Sequence, residues 1–100
     1  MTDIYVGDIG TIFRATVKDG GVAKDISSAT KIELNFRKPD GTEATKTATF
    51  TTDGSDGKMQ YTSVLNDLDQ AGRWVLQGYL ETPAGKWHTD LYHFLVMENL

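Results

Sequence analysis

Two histidines near the C-terminal end are the residues best suited to metal or acid–base chemistry. His88 and His93 are the only histidines in the chain, and imidazole is the commonest metal ligand and titrates near neutral pH. Their odd separation places them on opposite faces of a regular strand, so they cannot ligate one metal ion unless a bulge intervenes. In the same regular pattern His88 shares a face with Asp90 and Tyr92. We interpret this set as polar decoration of a sheet surface.

The acidic loop at residues 53–57 resembles a calcium-binding loop only in composition. An EF-hand loop places ligands at positions 1, 3 and 5 and a bidentate glutamate at position 12. Counted from Asp53, positions 5 and 12 are Gly57 and Val64, neither of which has a side-chain ligand. The loop is therefore predicted to be a turn that its own Asp and Ser side chains stabilise.

Motifs for nucleophilic catalysis and phosphate binding are also missing from the sequence. No serine lies in a Gly-x-Ser-x-Gly turn, and neither a helix nor a Lys-Ser/Thr pair follows Gly7 and Gly10. We therefore predict no catalytic residues, no metal ligands and no cofactor. The protein is not expected to be an enzyme.

Composition limits the classes of partner. The 100 residues carry a formal net charge of −4 and include no cysteine, which opposes nucleic-acid binding and excludes a disulfide framework. The N-terminus lacks a basic segment followed by an apolar run, and no stretch is long enough to cross a bilayer. We expect one domain over residues 1–100, with no membrane partner. Such a protein would stay in the cytosol or be carried out of it in an assembly, or the domain was cut from a longer chain.

The most informative pattern is a hairpin over residues 72–97. Two runs rich in aromatic and branched residues flank Thr-Pro-Ala-Gly at 82–85, which is typical of two antiparallel strands and a turn. In the first run Trp74, Leu76 and Leu80 share a face, while charged and amide side chains occupy the other. That apolar face is predicted to point inward.

Four further stretches are predicted as strands, at residues 11–17, 30–37, 43–52 and 58–63. Ile32, Leu34 and Phe36 alternate with polar residues and are predicted to join the core. Residues 4–6 and 11–17 are predicted as one first strand with a possible break at Gly7 to Gly10, and such a break often lets an edge strand change sheets. Residues 64–71 form a connection that could include one helical turn. The pattern predicts an all-β fold, an immunoglobulin-like antiparallel β-sandwich of about seven strands, with a small barrel as the alternative.

The end of the hairpin is apolar on both faces. Tyr92, Phe94 and Val96 alternate with a second set, the candidate interface, made of Leu91, His93, Leu95 and Met97. A strand in a free-standing sandwich should be polar on its outer side. A bulge, cover by the N-terminal segment, or burial against another subunit would each explain the pattern, and the sequence leaves these open.

Several short segments, in this order and spacing, resemble a known family. They are Tyr-Val-Gly-Asp-Ile-Gly-Thr at 5–11, Ile-Ser-Ser-Ala-Thr at 26–30, Lys-Pro-Asp-Gly-Thr at 38–42, Leu-Asp-Gln-Ala-Gly-Arg-Trp at 68–74 and Phe-Leu-Val at 94–96. Together they resemble the N-terminal immunoglobulin-like domain of the upper baseplate proteins of tailed bacteriophages and related small tail proteins. Those proteins usually continue into fibre or receptor-binding regions, whereas this sequence stops at Leu100.

The resemblance implies a structural module of the virion, in the baseplate, the tail or as a head accessory, assembled in the host cytoplasm. Its expected partners are other phage structural proteins and further copies of itself, with no catalytic residues. A carbohydrate- or cell-surface-binding module is the alternative. Tyr79, Trp87 and Tyr92 would supply its aromatic platform.

Overall fold

The larger of two main sheets is built around one long strand. In the computed structural model, which describes residues 3–99, β9 (Gly72–Thr82) pairs with β5 (Lys31–Arg37) on one side. On its other side it pairs with β10 (Gly85–His88) and then β11 (Tyr92–Met97). The outer strands are β1 (Ile4–Tyr5), parallel to β11, and β6 (Glu43–Thr47), giving the order β1-β11-β9-β5-β6. The predicted hairpin is confirmed, with Thr82 opposite Gly85 across the turn.

The smaller sheet has three strands in the order β2-β8-β7. They are β2 (Ile12–Thr16), β8 (Lys58–Thr62) and β7 (Thr49–Phe50). A separate two-stranded hairpin joins β3 (Lys18–Asp19) to β4 (Val22–Ala23). The fold is all-β, and residues 3–99 form eleven strands, where about seven were predicted.

One predicted strand is divided because the chain changes sheets within it. Residues 43–52 form β6 in the larger sheet and β7 in the smaller one, with Ala48 between them. Ala48 is buried and its amide donates to the Ile32 carbonyl oxygen at 3.0 Å. The alternation continues through this crossover, so the sequence pattern alone does not reveal it.

The predicted core residues lie between the two sheets. Leu34, Phe36, Trp74, Leu76 and Leu80 are buried as predicted, whereas Ile32 is only partly buried at the end of its strand. The smaller sheet contributes Phe13, whose ring meets that of Phe36 edge to face at 5.2 Å between centroids. This contact joins the two layers of the core.

The glycine break at residues 7–10 is where the chain passes from the larger sheet to the smaller one. Gly7 and Gly10 both have positive φ, at 89° and 91°, which glycine adopts without the penalty that a side chain would bring. Their amides donate to the carbonyl oxygens of Leu68 and Ser63. The predicted change of sheet by the N-terminal strand is confirmed.

A bulge separates β10 from β11. His88 lies opposite Tyr79 and Tyr92 lies opposite Leu76, so residues 89–91 face only two residues of β9. An extra residue of this kind shifts the alternation of the strand. Trp87 before the bulge and Tyr92 after it therefore both lie on the inner side of the sheet, although their positions differ by five, an odd number.

The connection at residues 64–71 forms a turn rather than a helical turn, with the Asp67 amide donating to the Val64 carbonyl oxygen at 3.2 Å.

Within residues 3–99 there is no helix long and apolar enough to cross a membrane.

Candidate functional site

One apolar surface patch, the outer corner, is made of Tyr5, Leu95 and Met97. It lies where β1 joins β11 on the outer face of the larger sheet, with Tyr5 opposite Met97. The exposed fractions are 40% for Tyr5, 56% for Leu95 and 36% for Met97. Large contiguous apolar side chains on a surface are typical of interaction sites.

Packing of the alternate residues forces these side chains outward. Val96 is 1% exposed, and the Phe94 ring stacks on Trp74 with centroids 5.8 Å apart. Because successive side chains of a strand point to opposite faces, Leu95 and Met97 must face away from the core. The short strand β1 pairs only with Val96 and Met97. Neither the bulge nor the N-terminal segment therefore buries Leu95.

The rest of the same face is polar. Arg37 and Glu43 form an ion pair at 3.1 Å, and Thr45 Oγ1 donates to Asn35 Oδ1 at 2.8 Å. The Tyr79 hydroxyl donates to Glu81 at 2.6 Å. This bond, together with burial, raises the pKa of Tyr79 to about 12. The exposed apolar side chains named above are thus concentrated on β1 and β11.

The four candidate interface residues are all exposed, but they are not equivalent. His93 and Leu95 lie opposite Val75 and Arg73 of β9, and Met97 completes the outward row of β11. Leu91 is 57% exposed and belongs to the bulge before β11. Residues 93, 95 and 97 share one face, and Leu91 lies at the end of that row.

The two histidines point to the same face, which corrects the expectation from a regular strand. The extra residue in the bulge shifts the alternation by one position. His88, opposite Tyr79, and His93, opposite Val75, therefore both face outward. Tyr92 points inward. Their partners Tyr79 and Val75 are four positions apart along β9, about 14 Å at 3.4 Å per residue. They are too far apart to share a metal ion, and residues 3–99 contain no group of three His, Cys, Asp or Glu side chains that could hold one.

The three aromatic residues proposed as a ligand platform do not share a surface. Tyr79 is on the outer face, whereas Trp87 lies opposite the buried Leu80 on the inner side, with Lys24 Nζ 4.4 Å from its ring centroid. The Tyr92 hydroxyl accepts a bond from the Thr16 amide at 3.3 Å. These positions cannot stack against one sugar together.

The acidic loop is held together by its own side chains. Asp53 Oδ1 accepts bonds from the amide and the hydroxyl of Ser55, and these hydrogen bonds lower the pKa of Asp53. Asp56 accepts bonds from the Lys58 amide at 3.1 Å and the Thr52 hydroxyl at 3.2 Å. The loop is the self-stabilised turn that the sequence predicts.

Sequence reasoning missed a groove of about 590 Å³ between β2 and β11. Phe13, Leu76 and Phe94 line it, and at its rim Ile9 and Ile12 are 62% and 51% exposed. The only sequence signal for it was the glycine break, because the change of sheet at residues 7–10 separates β1 from β2.

The sequence matches no protein-family model and no curated protein.

Proposed function

We propose that this chain is a non-enzymatic, immunoglobulin-like structural module of a tailed-bacteriophage virion that docks onto neighbouring structural proteins or further copies of itself. It would be assembled in the host cytoplasm and act in the baseplate, the tail or as a head accessory. The observation that carries the docking role is the outer corner, Tyr5, Leu95 and Met97. The assignment to a virion comes from the family resemblance.

The energetics of the outer corner favour association. Burying a large apolar side chain is worth roughly 1.5 to 3 kcal/mol. Leu95, more than half exposed on its own sheet, would gain much of this by contacting another subunit. Arg73, opposite Leu95 in the sheet, would lie at the polar rim of such a contact.

The order of the strands supports the immunoglobulin-like part of the proposal. Variable-type immunoglobulin domains have one sheet in the order G-F-C-C′ and a second that contains B, E and D. The orders β11-β9-β5-β6 and β2-β8-β7 correspond to these two sheets. Under this correspondence β1 would be the short N-terminal strand beside G.

The carbohydrate-binding alternative has no observation in its favour, because its aromatic residues lie on different faces. We expect no binding to a glycan array.

Sedimentation of wild type and Leu95→Asp tests the docking role. We expect the wild type to associate as its concentration rises, and Leu95→Asp to remain monomeric with an unchanged circular dichroism spectrum. Val22→Asp is the matched control, because Val22 is 69% exposed on the separate β3–β4 hairpin. A wild type that stays monomeric at every concentration, or equal effects of both variants, would contradict docking through the outer corner between copies.

The virion assignment needs its own experiment. Tailed particles purified from a host that carries the gene should contain the protein at a fixed number of copies, detected by quantitative mass spectrometry. Particles without the protein would contradict this part of the proposal while leaving the sedimentation result intact.

A further inference from the structure

The groove between β2 and β11 is bordered by an unpaired strand edge. Within residues 3–99 β2 pairs with β8 on one side only. The Thr16 amide points away from β8, because it donates to the Tyr92 hydroxyl across the gap to β11. Backbone groups two and four residues earlier in a strand point the same way. The N–H and C=O groups of Arg14 and Ile12 therefore face the groove.

The floor of the groove is apolar. Phe13 points inward from β2 and meets Phe94 with ring centroids 4.9 Å apart, and Leu76 of β9 also lines the space. Unpaired backbone donors and acceptors beside an apolar floor are the features that bind an extended peptide, which adds a strand to a free sheet edge. No small ligand satisfies a row of alternating backbone groups in the same way.

We propose that this groove binds a short extended segment of another protein, which pairs antiparallel with β2 as a fourth strand of the smaller sheet. This site is separate from the outer corner and does not depend on it. Antiparallel pairing is slightly more stable per residue than parallel pairing.

The side chains of β2 specify the sequence of the bound segment. Arg14 lies on the outer face of the smaller sheet, where its Nε donates to Gln60 Oε1 at 3.2 Å. The residue opposite Arg14 would share that face, so an acidic side chain would form a favourable cross-strand pair there. The next residue, opposite Phe13, would point to the apolar floor, and the one after it would lie beside Ile12. The preferred segment therefore reads acidic, apolar, β-branched from its N-terminus.

The two ends of the groove limit the length of the segment that it can hold. The crossover at residues 6–11 closes one end, and the bond between Thr16 and Tyr92 closes the other. Residues 12–16 between them extend about 17 Å at 3.4 Å per residue, which is enough for a strand of about five residues.

Titration of the labelled protein with two capped peptides tests the proposal by nuclear magnetic resonance. The probe is acetyl-Thr-Glu-Leu-Val-Thr-amide, and its control has Lys in place of Glu. We expect the probe to shift the amide signals of Ile12, Arg14 and His93, and to bind about three- to fivefold more tightly than the control. In Arg14→Glu that preference should reverse. Equal binding of the two peptides, or shifts that map to another surface, would overturn the proposal.

A proline variant tests the backbone pairing itself. Arg14→Pro removes a donor that β8 does not use, and proline is tolerated on such an edge. We expect it to abolish probe binding while the protein stays folded. Thr47→Pro is the matched control on the free edge of β6. The Ala48 amide donates to β5, so the amide of the preceding residue, Thr47, points away from β5 and is not used in the sheet. Binding that survives in Arg14→Pro would overturn the proposal. It would also be overturned if raising the concentration of the wild type alone, without peptide, protected the Ile12 and Arg14 amides from hydrogen exchange.

Discussion

Trp74 is the side chain on which the interior depends most. It is 1% exposed, and its indole N–H donates to the Gln70 carbonyl oxygen at 3.0 Å. The rings of Phe36 and Phe94 lie against it. We expect Trp74→Ala to lower the free energy of unfolding by about 3 to 5 kcal/mol, because it leaves a large cavity and an unpaired carbonyl. Urea denaturation measures this, and a loss under about 1 kcal/mol would contradict this account of the core.

Asp67 ties the connection at residues 64–71 to the sheets. Its carboxylate accepts bonds from the Tyr61 hydroxyl at 2.5 Å and the Val64 amide at 2.8 Å, and pairs with Lys46 at 2.9 Å. Burial opposes its ionisation, but these partners outweigh burial and hold the pKa of Asp67 below its ordinary value of 3.8. Burial, reinforced by the bond to Asp67, raises the pKa of Tyr61 to about 12.

The lowered pKa of Asp67 predicts a dependence of stability on pH. Since folding favours the charged form, the contribution is complete above the unfolded pKa and is lost as the pH falls through the lower folded value. Asp67→Asn should lower the free energy of unfolding by about 1 to 3 kcal/mol at pH 7, and the difference from wild type should shrink below about pH 4.

Asp69→Asn is the control for Asp67→Asn. Asp69 also pairs with a lysine, Lys38 at 3.0 Å, but its side chain is 44% exposed. An exposed pair contributes about 0 to 1 kcal/mol. If the two variants lose equal stability at pH 7, or if the Asp67→Asn deficit is the same at pH 3, the buried network does not act as described.

At the scale of elements, the bulge depends on the close approach of Gly78 and Thr89. Thr89 is buried, its hydroxyl accepts a bond from the Gly78 amide at 2.8 Å, and it donates to the Asp90 carbonyl oxygen at 2.9 Å. A Cβ at Gly78 would lie 2.8 Å from Thr89 Cγ2. The absence of a side chain at Gly78 is what lets Thr89 pack against β9.

This contact predicts a matched pair of variants. Gly78→Ala should lower the free energy of unfolding by about 1 to 3 kcal/mol through overpacking. Adding Thr89→Ser should recover part of the loss, because serine keeps the hydroxyl and removes the methyl group that collides. Urea denaturation of both variants decides it. No recovery in the double variant would place the clash elsewhere, at Met59 or Ala15.

Strand alternation made most of the elements predictable, and local insertions made the rest unpredictable. The inward faces of β5 and β9 follow directly from the apolar period of two, so Phe36 and Trp74 could be assigned to the core. The bulge could not be seen, because an extra residue between two apolar runs leaves both runs intact. Its effect was to place His88 on the face opposite Tyr92 and to bring the two histidines to the same face.

The exposed apolar residues of the candidate site were predictable for the same reason. Leu95 and Met97 alternate with Phe94 and Val96, and once the latter face inward the former cannot. The contribution of Tyr5 was not predictable, because a two-residue strand has no period and its pairing with β11 depends on the whole sandwich. The groove was not predictable either, because it lies between β2 and β11, which belong to different sheets, and strand alternation does not show how two sheets pack.

At the scale of the whole molecule, two candidate surfaces lie near the same N-terminal crossover. The outer corner includes Tyr5 of β1, and the groove is lined in part by Ile4 of β1 and by Ile9 and Gly10 of the crossover. The β1 strand, which pairs with two residues of β11, thus contributes one side chain to each surface. If both proposals hold, the molecule contacts two different neighbours at once.

Folding of the whole molecule should not require a metal ion. The carboxylates of Asp53 and Asp56, which form the most acidic loop, already accept hydrogen bonds from Ser55, Lys58 and Thr52. The described residues contain no three-residue ligand cluster, and apolar side chains pack between the two sheets. We expect the same thermal unfolding midpoint with and without a chelator such as EDTA, and no rise on adding calcium. A ligand that binds only the folded state raises stability by RT ln(1 + [L]/Kd), so a drop of several degrees with the chelator would contradict this prediction. Repeating the scan with Asp53→Asn would then show whether that loop holds the ion, since the drop would vanish in the variant.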